Sequence, residues 1–235
     1  MAVQRFATLE HLIAGAADAI AVLIHEAVTE RGVAQIALAG GSTPIPLYHR
    51  LAMMALPWDH VELWFGDERS VPPDHPMSNY LMVRTALIDV MAEARVHRIQ
   101  GETDPAAAAA AYELELVGQL GVPPQLDLVL LGLGPDGHTA SLFPHTPALA
   151  ETERWVVASP SSTGEPRITL TAKAICAARH VRFFVLGDSK AAVLAEILEG
   201  PRDPNRLPSQ LIAAAETDVG WFVDEAAAAQ LRSTP

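Results

Sequence analysis

The sequence predicts an α/β fold, with a mostly parallel sheet covered by helices on both faces. Two observations carry this. Strand-like and helix-like segments alternate along the chain. The run Leu126 to Leu133 is almost wholly apolar, as a strand buried on both faces must be.

The elements follow in order. Thr8 to Glu30 places Leu9, Leu12, Ile13, Ala16, Ile20, Leu23, Ile24 and Ala27 at helical spacing. Gln35 to Ala39 reads as a strand, Pro44 to Ala55 as a helix and His60 to Gly66 as a strand. Ser78 to Val90 predicts a helix capped by Ser78 or Asn79. Asp104 to Leu120 predicts another, with Asp104 as cap and Pro105 in its first position. Strands are expected at 126–133, 154–159, 167–171 and 181–187, then a helix at 188–199 and a strand at 219–223. The Pro/Gly-rich patches at 72–76, 121–124, 144–147 and 200–208 are short connections, so a single domain over residues 1–235 is expected.

The bulk properties exclude several function classes. A net charge of −12 argues against nucleic acid and against an anionic membrane surface as partners. A local cationic pocket for a small anion remains compatible with it, because distant charges are screened. Cys176 is the only cysteine, which excludes an internal disulfide and fits a reducing, cytoplasmic setting. No signal-peptide core opens the chain, and no apolar run is read as reaching a membrane span of ~20 residues.

Four strand-to-helix turns carry candidate chemistry. In Gly40-Gly41-Ser42-Thr43-Pro44 two glycines allow close backbone approach, and the helix start favours an anion. A plain turn with a Ser/Thr cap is the competing reading. In Gly66-Asp67-Glu68-Arg69, Arg69 offers a planar fork for phosphate or carboxylate. Asp67 and Glu68 are expected to orient it or to bind sugar hydroxyls. In Gly132-Leu-Gly134-Pro-Asp136-Gly137-His138, the histidine has an unperturbed pKa of about 6.5, and Asp136 two residues earlier can fix its tautomer. The formal G-x-G-x-x-G match there is discounted as a dinucleotide fingerprint: it falls mid-chain, and Pro135 removes an amide. In Gly187-Asp-Ser-Lys190, a cation at a helix start is disfavoured unless an anion shares the site, and lysine is otherwise limited to Lys173. Arg167 and Thr169 are placed to fall nearby.

Other chemistries lack support. There is no G-x-S-x-G elbow, no H-E-x-x-H and no C-x-x-C, so neither a serine nucleophile nor a metal is expected. Cys176, in Ala-Ile-Cys-Ala, reads as core packing.

Together these motifs resemble the 6-phosphogluconolactonases. The matching pieces are Gly40-Gly-Ser-Thr-Pro44, Gly66-Asp-Glu-Arg-Ser-Val-Pro72 with Ser78-Asn79, Gly132 to Pro144, Arg167-Ile-Thr-Leu-Thr171 and Gly187-Asp-Ser-Lys190, in order over nearly the whole chain. The string Asp136-Gly-His-Thr-Ala-Ser-Leu-Phe-Pro144 is the most specific of them. The resemblance implies a Rossmann-like three-layer sandwich of the sugar-phosphate deaminase/isomerase kind. It also implies hydrolysis of 6-phospho-D-glucono-1,5-lactone to 6-phospho-D-gluconate in the oxidative pentose phosphate pathway, without cofactor or metal. His138 is expected to activate water, with Asp136 orienting it. Gly40, Gly41, Ser42, Thr43, Asp67, Arg69, Lys190 and, more weakly, Arg167 are expected to hold the substrate. A monomer is expected, with weak self-association left open. The alternative enzyme is a glucosamine-6-phosphate deaminase or other sugar-phosphate isomerase. The resemblance disfavours it, because those deaminases carry a further carboxylate shortly after the histidine, where this chain has Thr139-Ala-Ser-Leu. A non-catalytic sugar-phosphate sensor is a third reading, which lacks an accompanying DNA-binding module here.

Overall fold

The computed structural model describes residues 2–90 and 94–232. A 23-residue helix, α1 (Leu9–Arg31), opens the βα alternation. The Thr8 hydroxyl accepts the His11 amide at its start, and Gly32, at φ 79°, ends it in the left-handed region. By length and composition α1 is apolar enough to cross a membrane, which corrects the reading that no such run exists. Its apolar residues serve the core instead. Leu12, Ala16, Ile20, Ile24 and Ala27 form a buried stripe, while Asp18, Glu26 and Glu30 face outward.

The main sheet has seven parallel strands in the order β1-β10-β9-β6-β2-β3-β5. These are β1 (Ala2–Phe6), β2 (Ala34–Leu38), β3 (Val61–Phe65), β5 (Arg95–Val96), β6 (Leu128–Leu131), β9 (His180–Val185) and β10 (Asp218–Asp224). Helices cover both faces. Every residue of β2 and β6 is buried, as central strands between two helical layers must be. The remaining helices are α2 (Ile45–Ala52), α3 (Asn79–Ala86), α4 (Pro105–Leu120), α5 (Ala172–Cys176), α6 (Ala191–Glu199) and α7 (Ser209–Ala213). Asp104 caps α4 by accepting the amides of Ala106 and Ala107, and Ser78 caps α3 by accepting that of Leu81.

From β2 the chain builds outward through β3 and β5, then returns across to β6, β9 and β10. Strand order therefore reverses between β2 and β6. The crevice at their carboxyl ends is the standard ligand position of open α/β sheets.

A second sheet of three antiparallel strands, β4-β8-β7, stands apart: β4 (Asp67–Arg69), β7 (Val156–Pro160) and β8 (Pro166–Leu170). The strands expected at 154–159 and 167–171 are thus present, but alternation alone does not separate them from the main sheet. Five elements carry no strong signal. β1 is a half-exposed edge strand with Gln4 and Arg5, β4 is wholly charged, and β5 has two residues. α5 and α7 are single five-residue turns. The helix expected at 188–199 begins as a 3-10 turn, Asp188–Lys190, before α6.

Candidate active site

The turns after β2, β3, β6 and β9 converge on one cleft of ≈ 300 Å³. It is lined by Gly40–Thr43, Asp67, Arg69, Asn79, Gly132–Pro135, His138–Ser141, Phe143 and Lys190. A larger cavity, ≈ 560 Å³, lies at the amino ends of β6, β9 and β10, and it holds none of the motif residues.

After β2 the chain turns at Gly40 and Gly41. Gly41 has φ 83°, and a Cβ on Gly40 would stand 2.0 Å from Asn79 Oδ1, so neither position tolerates a side chain. Tyr48 anchors the turn by donating its hydroxyl to the Ala39 carbonyl at 2.8 Å. The cap residue of α2 is Pro44, and no side chain caps the helix. Ser42 and Thr43 hydroxyls are therefore not spent on the helix start, which removes the plain-cap reading and leaves both for a ligand.

After β3 come the charged residues. Glu68 does not reach the cleft. It is 2% exposed, and its two oxygens accept the amides of Arg69, Asn79 and Tyr80 and the Ser78 hydroxyl at 2.7–3.0 Å. Its burial pushes the carboxyl above its ordinary pKa, and those four donors oppose the shift. Glu68 thus holds the start of α3 against β4, which corrects the expectation that it orients Arg69 or binds hydroxyls. The Arg69 guanidinium lines the cleft and donates to the Met77 carbonyl at 2.5 Å. Asp67 reaches the cleft wall but is 8% exposed and bonded to Ser141 and Asn79.

After β6 the chain makes a tight turn, closed by the Gly137 amide on the Gly134 carbonyl at 3.1 Å and the Gly134 amide on the His138 carbonyl at 2.8 Å. Gly137 has φ 79°. A Cβ on Gly134 would fall 2.0 Å from His138 Nδ1, so the imidazole lies against bare backbone. Phe143 packs on the imidazole itself, 4.4 Å between ring centroids and tilted by 36°. His138 Nδ1 lies 2.5 Å from Asp136 Oδ1. Burial raises the Asp136 carboxyl, but the charge and hydrogen bonds of His138 outweigh it and hold the pKa below the ordinary aspartate value. Asp136 is then an acceptor only, so Nδ1 carries the hydrogen and Nε2 is the free nitrogen in the cleft. The two side chains are 26% and 37% exposed, open enough for substrate and water.

After β9, Lys190 ends the 3-10 turn and lines the cleft beside Asp136. Burial pushes its ammonium below the usual lysine pKa, against the opposing charge of Asp136. Because β6 lies between β9 and β2 in the sheet, the His138 turn lies between Lys190 and the Gly40–Thr43 turn. Arg167 is paired with Arg69 across the β4–β8 ladder, but it does not line the cleft: its guanidinium bonds Glu165 and the Pro166 carbonyl, each at 3.1 Å. Thr169 lies one layer deeper and bonds the Ser141 amide.

The sequence gives no role at the cleft to Asn79, Thr139 or Ser141. The first belongs to a motif, and the other two follow the histidine closely, but no spacing rule links Ser141 to Asp67, 74 positions away. Among the described residues, no group of three or more His, Cys, Asp or Glu side chains is placed to hold a metal. Cys176 is half-buried, outside this cleft, with its thiol pushed up to about 11 by burial.

Residues 7–221 match the family described as glucosamine-6-phosphate isomerases/6-phosphogluconolactonase. A 6-phosphogluconolactonase of Synechocystis sp. is 43% identical over 228 residues, covering 94% of each chain. One of Haemophilus influenzae is 39% identical over 201 residues, covering 82% of this chain and 85% of that one. The solved 6-phosphogluconolactonase of Trypanosoma cruzi superposes with a TM-score of 0.89 at 32% identity, over 99% of this chain and 97% of the other. A monomeric glucosamine-6-phosphate deaminase superposes with a TM-score of 0.82 at 25% identity, over 98% of this chain and 100% of that one.

Proposed function

The chain belongs to the glucosamine-6-phosphate isomerase/6-phosphogluconolactonase family, and on that premise we propose that His138 is the base of its reaction. The protein is an enzyme that hydrolyses 6-phospho-D-glucono-1,5-lactone to 6-phospho-D-gluconate, the lactonase step of the oxidative pentose phosphate pathway.

The observation that carries the mechanism is the Asp136–His138 pair at the switch point of the sheet. A lactone is an activated ester, so a positioned base and water suffice without a covalent nucleophile. His138 Nε2 takes a proton from water as the oxygen attacks C1. The tetrahedral intermediate collapses by breaking the bond from C1 to the ring oxygen, and the imidazolium returns the proton to that oxygen. The new carboxylic acid ionises and releases one proton to solvent. Asp136 keeps Nδ1 protonated and stabilises the imidazolium between the two steps.

Ser42, Thr43 and the amides of Gly40 and Gly41 hold the 6-phosphate together with Arg69 and Lys190, the cations that line the cleft. Arg167, bonded to Glu165 outside the cleft, is the weaker candidate and would add charge only on leaving that bond. Asp67 contributes from the wall. The cleft that holds the motif residues is assembled within one chain, so a monomer suffices. We place the enzyme in the cytoplasm as a single domain over residues 1–235, without cofactor and without nucleic-acid or membrane partners.

The deciding assay supplies fresh lactone, subtracts its spontaneous hydrolysis and follows acid release, with glucosamine 6-phosphate assayed for ammonia in parallel. Enhanced acid release alone is expected, unchanged by chelator. Ammonia release without enhanced lactone hydrolysis would identify a deaminase, and binding of both without turnover a sensor.

A further inference from the structure

We infer that Ser141, through its bond to the buried side chain of Asp67, is a positioning residue that sets the place of His138. The inference rests on the reading of His138 as the base.

Ser141 lies three residues beyond the histidine and is 1% exposed. Its hydroxyl donates to Asp67 Oδ2 at 2.6 Å, and its amide donates to Thr169 Oγ1 at 3.2 Å. Asp67 and Thr169 are themselves directly paired across the β4–β8 ladder. One residue of the histidine turn is therefore bonded to both members of a cross-strand pair in the small antiparallel sheet. Asp67 is fixed in turn by Asn79, whose Nδ2 donates to the Asp67 carbonyl at 2.9 Å and to Oδ1 at 3.1 Å. A buried carboxyl with both oxygens engaged by neutral donors has little freedom to move, because each lost bond leaves a polar atom unsatisfied.

The other side of the turn is tied to the main sheet. The Thr139 hydroxyl donates to the Gly132 carbonyl at 2.9 Å, and the Leu142 amide to the Thr139 carbonyl at 3.0 Å. Between these two anchors Ala140 has φ 47°. A left-handed alanine costs about 1–2 kcal/mol and persists only where its surroundings over-determine it. The anchors at Thr139 and Ser141 supply that constraint. His138 is thus clamped between a parallel sheet that carries Asp136 and an antiparallel sheet that carries Asp67, and the strain at Ala140 shows that the position is imposed.

A structural role alone would lower stability and leave turnover untouched. The test compares Ser141→Ala, Ser141→Thr, Ala140→Gly and His138→Ala, all assayed well below their melting midpoints. Ser141→Ala should lower kcat tenfold or more, the scale of a base displaced by a fraction of an ångström, with KM within about threefold. Ser141→Thr keeps the hydroxyl and should recover most of the loss. Ala140→Gly accepts the same backbone angle without strain. It should melt no lower than about the wild type yet turn over severalfold more slowly, and it decides the matter if Ser141→Ala does not fold. Wild-type kcat in Ser141→Ala or in a folded Ala140→Gly would overturn the inference while His138→Ala remains inactive. Wild-type kcat in His138→Ala would instead overturn the base assignment itself.

Discussion

Asp136 Oδ1 accepts two hydrogen bonds from His138, from Nδ1 at 2.5 Å and from the backbone amide at 3.2 Å. Because one oxygen ties both ring and backbone, the carboxylate fixes where the imidazole stands as well as which nitrogen is protonated. Asp136→Asn keeps the shape and removes the charge, and its amide group can turn to present a donor to Nδ1. The ring then favours the tautomer with its hydrogen on Nε2, which cannot accept a proton from water. We expect kcat to fall by about two orders of magnitude with KM nearly unchanged, measured by acid release. Equal kcat in both proteins would remove Asp136 from the mechanism.

His138→Ala should lower kcat by ~10²–10⁴, the usual worth of a general base. Binding of 6-phosphogluconate, followed by calorimetry, should change little, since the phosphate contacts lie on other turns. Loss of product binding in parallel with kcat would mean that the variant had lost the turn rather than the base.

Gly134→Ala puts a methyl group where His138 Nδ1 now stands, 2.0 Å from it. The ring must move and the bond to Asp136 must break. We expect activity to fall as far as in His138→Ala while product binding survives. A variant as active as wild type would show that the ring does not hold this position during turnover.

The two shifted carboxyls should give opposite pH signatures in melting experiments. The folded-state pKa of Asp136 is lowered, so its stabilising contribution is present above its ordinary 3.8 and is lost as pH falls through the lower folded value. Wild type should therefore lose its advantage over Asp136→Asn on acidification. Glu68 is raised, so wild type should gain on Glu68→Gln as pH falls towards and below the folded pKa, above the ordinary 4.5. At pH 7 Glu68→Gln should melt several degrees lower, because one acceptor oxygen cannot serve four donors. Parallel pH curves for the two variants would contradict this assignment.

Lys190→Met should weaken 6-phosphogluconate about tenfold, near 1.4 kcal/mol, a modest value because the ammonium remains largely accessible to water. Because burial lowers its pKa, wild-type affinity should decline on raising the pH before the ordinary lysine value of 10.5 is reached. The variant should lack this decline. Unchanged affinity in the variant would place the phosphate away from β9.

The parallel core and its ligand edge were legible because their signals are local. The apolar β6 run, the Gly40-Gly41 turn and the Asp136-Gly-His138 turn each carry their meaning within a few residues. The sequence does not reveal the inward turn of Glu68, because charge at a strand tip looks the same whether it faces solvent or holds amides. Arg167 shares a motif with the site residues, yet its guanidinium bonds Glu165 outside the cleft, and motif order does not say which way a side chain turns. The tie between Ser141 and Asp67 joins residues 74 positions apart, and no periodicity encodes such a meeting. β1 escaped notice because an edge strand needs only one apolar face.

The pairing of β1 with β10, in register from Ala2 opposite Gly220 to Phe6 opposite Asp224, also orders the assembly of the molecule in time. β1 has no partner until β10 has left the ribosome, and a contact spanning that much sequence closes slowly. Gly187, which opens the Lys190 turn, bonds its amide to the Asp224 carboxylate at the end of β10. The Lys190 side of the cleft is therefore completed by the same late event that docks β1. In refolding from denaturant, recovery of lactone hydrolysis should lag the return of helical signal and coincide with burial of Trp221, at the centre of β10.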